Sequence, residues 1–158
     1  GHSERRILYK ESNKLIEKKI FQSITNNILP IFCCGETLEA RQGKTYFDYV
    51  ETQIKESLFN LKKAQFSKIL IAYEPVWAIG KGMTAELNDI EKMHKFIRNK
   101  IKNRYSKLVS ETTPILYGGS VNSLNTSNIF SLPNVNGSLV GGASLNADDF
   151  MNIVKVLT

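Results

Sequence analysis

Glu74 stands where a short apolar run, KILIAY, gives way to a segment bounded by Pro75, Trp77, Gly80 and Gly82. Lys68 through Tyr73 reads as a buried strand, and Pro75 prevents its regular continuation. The two glycines supply the backbone freedom of a moving flap. A carboxylate at that junction is placed for general acid–base chemistry, because a site at a strand end holds it rigidly beside a loop that can exclude water. The competing reading is a surface Glu beside a structural turn. Neighbouring glycine-rich turns favour the first. Gly35-Glu36-Thr37, Gly118-Gly119-Ser120 and Gly141-Gly142-Ala143-Ser144 each follow a strand-like run. Free backbone N–H groups at such turns, and at the helix starts that follow, make a cradle for an anion.

Elements of alternating type must position these residues. Ile16, Ile20 and Ile24 recur at helical spacing before the apolar run Leu29 to Cys34. Phe47, Val50, Ile54, Leu58 and Leu61 form a second stripe before KILIAY, and Leu87, Ile90, His94, Ile97 and Ile101 a third before Pro114 to Tyr117. A short helix near Asn125 to Ser131, a strand Ser138 to Val140 and a final helix carrying Phe150, Ile153, Val154 and Leu157 complete the series. Helices alternating with uninterrupted apolar strands predict an α/β fold with a parallel sheet. The reading is one unit over residues 1–158, with four strands and five helices and no internal boundary.

Bulk properties narrow the function. The chain has 158 residues, 42% hydrophobic and 23% charged, and no apolar run approaches the ~18 residues of a bilayer span. No membrane association is expected. The net charge of +6 is spread along helix-like stretches without a dense basic block, so no nucleic-acid partner is expected and an anionic metabolite suits the field better. Cys33 and Cys34 are adjacent and lack metal-ligand or CxxC spacing, which fits packing roles in a reducing, cytoplasmic setting. Neither a metal nor an organic cofactor is expected.

GHSERR, PIFCCGETLEAR, IAYEPVWAIGKG, YGGSVN and LVGGASL occur in this order across nearly the whole chain. Together they resemble the C-terminal part of the triosephosphate isomerase family. The resemblance implies a TIM (β/α)₈ barrel, of which this chain holds about the second half, four βα units with a leading helix, and a homodimer in the family. It also implies interconversion of dihydroxyacetone phosphate and glyceraldehyde 3-phosphate through an enediolate. By the same resemblance Glu74 is the base and His2 the group that polarises the carbonyl. Gly1-His2-Ser3 alone could equally be a tag remnant, but its continuation into Glu4-Arg5-Arg6 looks like a helix start. Gly80, Ser120, Gly141 and Gly142 would hold the phosphate. Glu4 would support an active-site lysine, Tyr117 would bond the lid, and Cys33 would be a buried thiol nearby. Pro75, Val76, Trp77, Ala78, Ile79, Lys81, Gly82 and Met83 would form that lid around Gly80. The resemblance leaves the N-terminal half-barrel, with its substrate-binding Asn and Lys, unaccounted for, so a catalytically inactive half-barrel retaining a phosphate site or only the fold is the alternative. Asn136 stands where the family usually has Asp, which predicts the loss of one structural ion pair. His94, on a helical stripe, reads as structural.

Overall fold

The computed structural model describes residues 1–79 and 84–156. The expected helix start is real: His2 caps a short helix α1, Ser3–Leu8, with Nδ1 accepting from the Glu4 N–H at 3.3 Å. Ser12 caps α2, Asn13–Thr25, which buries Ile16, Ile20 and Ile24 as their spacing requires. Strand β1, Ile31–Cys34, leads to α3, Leu38–Gln42, and α4, Tyr46–Leu58. The second predicted stripe breaks here, because the chain leaves α4 at Phe59 and re-enters a single turn, α5, Lys63–Phe66. Then follow β2, Leu70–Tyr73, and a 3₁₀ turn at Val76–Ala78. The long helix α6, Leu87–Arg104, is joined through Tyr105 and the capping Ser106 to α7, Lys107–Thr112. Strand β3, Ile115–Tyr117, is followed by α8, Thr126–Phe130, a 3₁₀ turn at Gly142–Leu145, and α9, Ala147–Lys155.

β1, β2 and β3 lie in that order in one parallel sheet, as the alternation predicts. Of the expected fourth strand, only a parallel bridge between Tyr117 and Ser138 forms among the described residues. Tyr117 donates to the Gly137 carbonyl and Leu139 donates to the Tyr117 carbonyl, both at 2.9 Å. Glycines at 137 and 141 bracket the run, and glycine favours no extended strand. The extra short helices α3, α5 and α7 have four to six residues, too few for an apolar period to show in sequence.

Register decides what comes together. Cys34 pairs with Tyr73, and Tyr73 with Tyr117, so the residues that follow them, Gly35, Glu74 and Gly118, emerge side by side at one end of the sheet. The strands supply the core: Phe32, Ile71, Ala72, Tyr73, Ile115 and Tyr117 are buried. His94 is buried on α6, with Nδ1 3.3 Å from the Asn134 carbonyl and its ring edge-on to Tyr73, in keeping with a packing role. Asn136 keeps a bond where an ion pair was expected to be lost. Its Oδ1 accepts from Arg98 Nη2 at 2.7 Å and from the Ile115 N–H at 2.9 Å, a charge-assisted bond without the second charge.

Candidate active site

Glu74 is 1% exposed, and its neighbours set its position at three points. Its N–H donates to the Cys34 carbonyl at 2.7 Å, continuing the parallel ladder one residue past β2. Its carbonyl oxygen presses on Gly35 so closely that a Cβ there would lie 1.7 Å away. A Cβ on Gly118 would come within 2.9 Å of Glu74 Cγ. Glycine at 35 and 118 is therefore a steric condition for this backbone and side chain to coexist.

The carboxylate meets α1. Oε2 accepts from the Ser3 N–H at 2.9 Å, and Oε1 lies 3.4 Å from His2 Nε2. Because Nδ1 of His2 accepts from the Glu4 amide, the proton of the neutral ring belongs on Nε2, facing Glu74. Arg6 fixes this end of α1 to the sheet: Nε donates to the Gly1 carbonyl at 3.0 Å and Nη2 to the Cys33 carbonyl at 3.1 Å.

A cavity of about 510 Å³ opens over the pair and is lined by His2, Glu74, Ile79, Ser120, Gly141 and Gly142 together with Gly118, Gly119, Val121, Asn122, Leu139, Val140 and Ala143. It thus unites both expected catalytic residues with three of the four expected phosphate residues. The fourth, Gly80, and the lid positions Lys81, Gly82 and Met83 lie outside the described residues. A Cβ on Gly141 or Gly142 would meet no protein atom within 4 Å. The chain itself imposes no glycine there, so the open space belongs to whatever enters the cavity. A hollow of about 610 Å³ between Arg6, Asn13, Tyr49 and Gln53 contains none of the expected catalytic residues.

The third anion turn is different from expectation. The N–H of Gly35 is not free: it donates to Gln53 Oε1 at 2.8 Å, and the Gly35 carbonyl accepts from Gln53 Nε2 at 3.2 Å. Cys33 is buried beside this turn, and burial, then the Glu74 charge, pushes its thiol well above the usual range, so it stays protonated. Both cysteines are free. The Glu4 side chain is 71% exposed, with Oε2 3.9 Å from His2 Nδ1. Burial pushes the Tyr117 hydroxyl up to about 12, opposed by a hydrogen bond with the Ala85 backbone.

Sequence reasoning passed over Glu36 as a site residue. It is fully buried, and its Oε1 accepts from Trp77 Nε1 at 2.8 Å and from the Tyr73 hydroxyl at 3.1 Å. Its carbonyl accepts from the Val76 N–H at 3.1 Å, so backbone and side chain both hold the first turn of the expected lid. Burial raises its pKa, opposed by the bond from Trp77. Arg41 lies 3.7 Å from the same oxygen and stacks over the Trp77 and Tyr46 rings. The missed signal matches the one that found Glu74: an acid at the end of an apolar strand.

A family model described as triosephosphate isomerase matches residues 1–157. The chain belongs to the triosephosphate isomerase family. A protein named triosephosphate isomerase from Amoebophilus asiaticus is 45% identical over 157 residues, covering 99% of this chain and 62% of its own length. Its namesakes from Porphyromonas gingivalis and Finegoldia magna are 44% and 46% identical, each covering 98% of this chain and 62% of their own length. The chain therefore spans less than two thirds of these relatives, and its three-stranded sheet is a partial triosephosphate isomerase barrel.

Proposed function

We propose that residues 1–158 are the C-terminal part of a single barrel domain whose complete form interconverts dihydroxyacetone phosphate and glyceraldehyde 3-phosphate in cytoplasmic glycolysis and gluconeogenesis. The observation that carries this reading is the approach of His2 Nε2 to Glu74 Oε1, 3.4 Å, at the mouth of one cavity. Glu74 takes a proton from the carbon α to the carbonyl, and His2 Nε2–H donates to the oxygen that becomes the enediolate. The same proton returns from Glu74 to the neighbouring carbon while the hydroxyl proton passes from one oxygen of the enediol to the other beside His2 Nε2, so the reaction needs no net proton or electron. Acid–base assistance of this kind is worth about 10²–10⁴-fold per group.

Ser120 and the backbone of Gly80, Gly141 and Gly142 hold the phosphate, away from the reacting carbons, and its binding energy is available to the transition state. Pro75, Val76, Trp77, Ala78 and Ile79, continued by Lys81, Gly82 and Met83, close over the substrate, with Tyr117 receiving the lid and Glu4 supporting a lysine contributed by the rest of the barrel. Cys33 packs behind Glu74. A homodimer is the assembly proposed for the complete protein. No described helix is long and apolar enough to cross a membrane.

The test is an isomerase assay of the protein at full length with Glu74→Asp and with His2→Gln. Glu74→Asp withdraws the base by one methylene, so kcat is expected to fall about 10²-fold or more while affinity for an inert phosphate analogue holds. Equal losses of turnover and analogue affinity would remove Glu74 from the role of base.

A further inference from the structure

Gln53 sits in the middle of α4, 18 residues beyond Gly35 and on a different element, yet it is only 5% exposed. Both ends of its amide are spent on one residue. Oε1 accepts from the Gly35 N–H at 2.8 Å and Nε2 donates to the Gly35 carbonyl at 3.2 Å, so the two bonds fix the amide's orientation and the residue it holds. A buried amide satisfied in this way resists displacement, since breaking either bond leaves a buried polar group unpaired.

Gly35 is the residue against which the Glu74 carbonyl rests, and the preceding Cys34 carbonyl accepts the Glu74 N–H at 2.7 Å. A shift of the Gly35 peptide therefore moves Glu74, because neither close contact has slack. We propose that Gln53 is a positioning residue for the reaction: acting through Gly35, it sets the backbone from which the Glu74 carboxylate reaches the substrate. Arg6 holds the Cys33 carbonyl from the His2 side, so the end of β1 is clamped from two helices, one behind each reacting group. This inference rests on the proposed isomerase activity, but its first consequence is structural and is read without turnover.

The test uses the protein at full length with Gln53→Met, which removes both bonds at similar volume, and Gln53→Glu. Ser57→Ala, one turn along the same helix, is the control, since Ser57 donates to the Asn13 carbonyl and does not line the cavity. In Gln53→Met, hydrogen exchange at the Gly35 and Glu74 amides is expected to accelerate. Its kcat is expected to fall about 10–100-fold, the scale of a small misplacement, with KM within about threefold. Ser57→Ala is expected to lower Tm while sparing kcat. Gln53→Glu separates positioning from mere packing. Its protonated carboxyl donates to the Gly35 carbonyl and its ionised form does not, so its kcat deficit relative to the unsubstituted protein shrinks as pH falls.

Unchanged exchange at Gly35 and Glu74 overturns the proposal, as does a kcat loss in Gln53→Met no greater than in Ser57→Ala. If Gln53→Met does not fold, the pH-dependence of Gln53→Glu decides, and a deficit independent of pH counts against it. An unsubstituted protein without isomerase activity ends the proposed function. The exchange measurement then still decides whether Gln53 positions Glu74.

Discussion

Glu74 and His94 are both buried, and opposite demands are met around them. Glu74 accepts one hydrogen bond, from the Ser3 amide, and has the His2 ring 3.4 Å from its other oxygen. Gly118 leaves the side chain just enough room for that arrangement. Gly118→Ala is expected to push Glu74 aside and reduce kcat about 10²-fold in the protein at full length, with KM changing far less. A steady-state comparison checks it, and unaltered turnover would show that the carboxylate tolerates the shift. His94 instead has no hydrogen-bond partner for Nε2 among the described residues, and burial lowers its pKa to about 4 from 6.5. The unfolded chain therefore binds a proton that the folded chain refuses. Stability is full above pH 6.5 and is lost as pH falls from there towards 4. His94→Leu is expected to flatten that limb in denaturant titrations at stepped pH. A limb of unchanged slope would assign it to another group.

At the scale of elements, the turn between α1 and α2 carries a second acid-sensitive joint. Glu11 is buried there, and its Oε1 accepts from Arg5 Nε at 2.7 Å and from Lys19 Nζ. The bond from Lys19 is the largest cause holding the Glu11 pKa down to about 2 from 4.5. This depressed carboxylate contributes stability above pH 4.5 that is lost as pH falls towards 2, below the window of His94. Glu11→Gln is expected to lower stability at neutral pH, because Arg5 and Lys19 lose their charged partner, and to remove the steep loss below pH 4.5 in the same titrations. A variant that keeps that loss would clear Glu11 of it. The elements that were legible in sequence are those with a period: the stripes of α2 and α6, the α4 stripe as far as Leu58, and the apolar runs that contain β1, β2 and β3. The single-turn helices were not, since a four-residue turn offers no repeat. Within the site, Glu74 was visible as an acid at a strand end and His2 as part of a motif. Ser3 and Gln53 were not, because they act through contacts spanning 71 and 18 residues that only the packing of helices against the strand ends creates.

At the scale of the whole molecule, the sheet is open. β1 pairs with β2 alone among the described residues, and the far side of β3 carries only the bridge to Ser138. Apolar side chains stand exposed beside the β1 edge: Ile31 is 42% and Leu29 63% exposed. Ile7, Leu8 and Tyr9 at the end of α1 and Leu145, Phe150 and Met151 near α9 are exposed as well. Apolar surface buried on association contributes roughly 25 cal/mol per Å², and an unpaired parallel strand adds backbone donors and acceptors that seek a ladder. The relatives are longer by more than a third of their own length, which is the chain expected to cover these edges in the complete protein. The 158-residue chain by itself is therefore expected to self-associate and to turn over triose phosphate orders of magnitude more slowly than the complete protein. Sedimentation velocity across a concentration series reads the first expectation and an isomerase assay the second. Leu29→Lys with Ile31→Lys should shift the chain towards monomer, because charges on an exposed edge oppose strand pairing, without touching the cavity residues. A chain that sediments as a monomer at every concentration, unchanged by the two lysines, would show that the β1 edge is already satisfied.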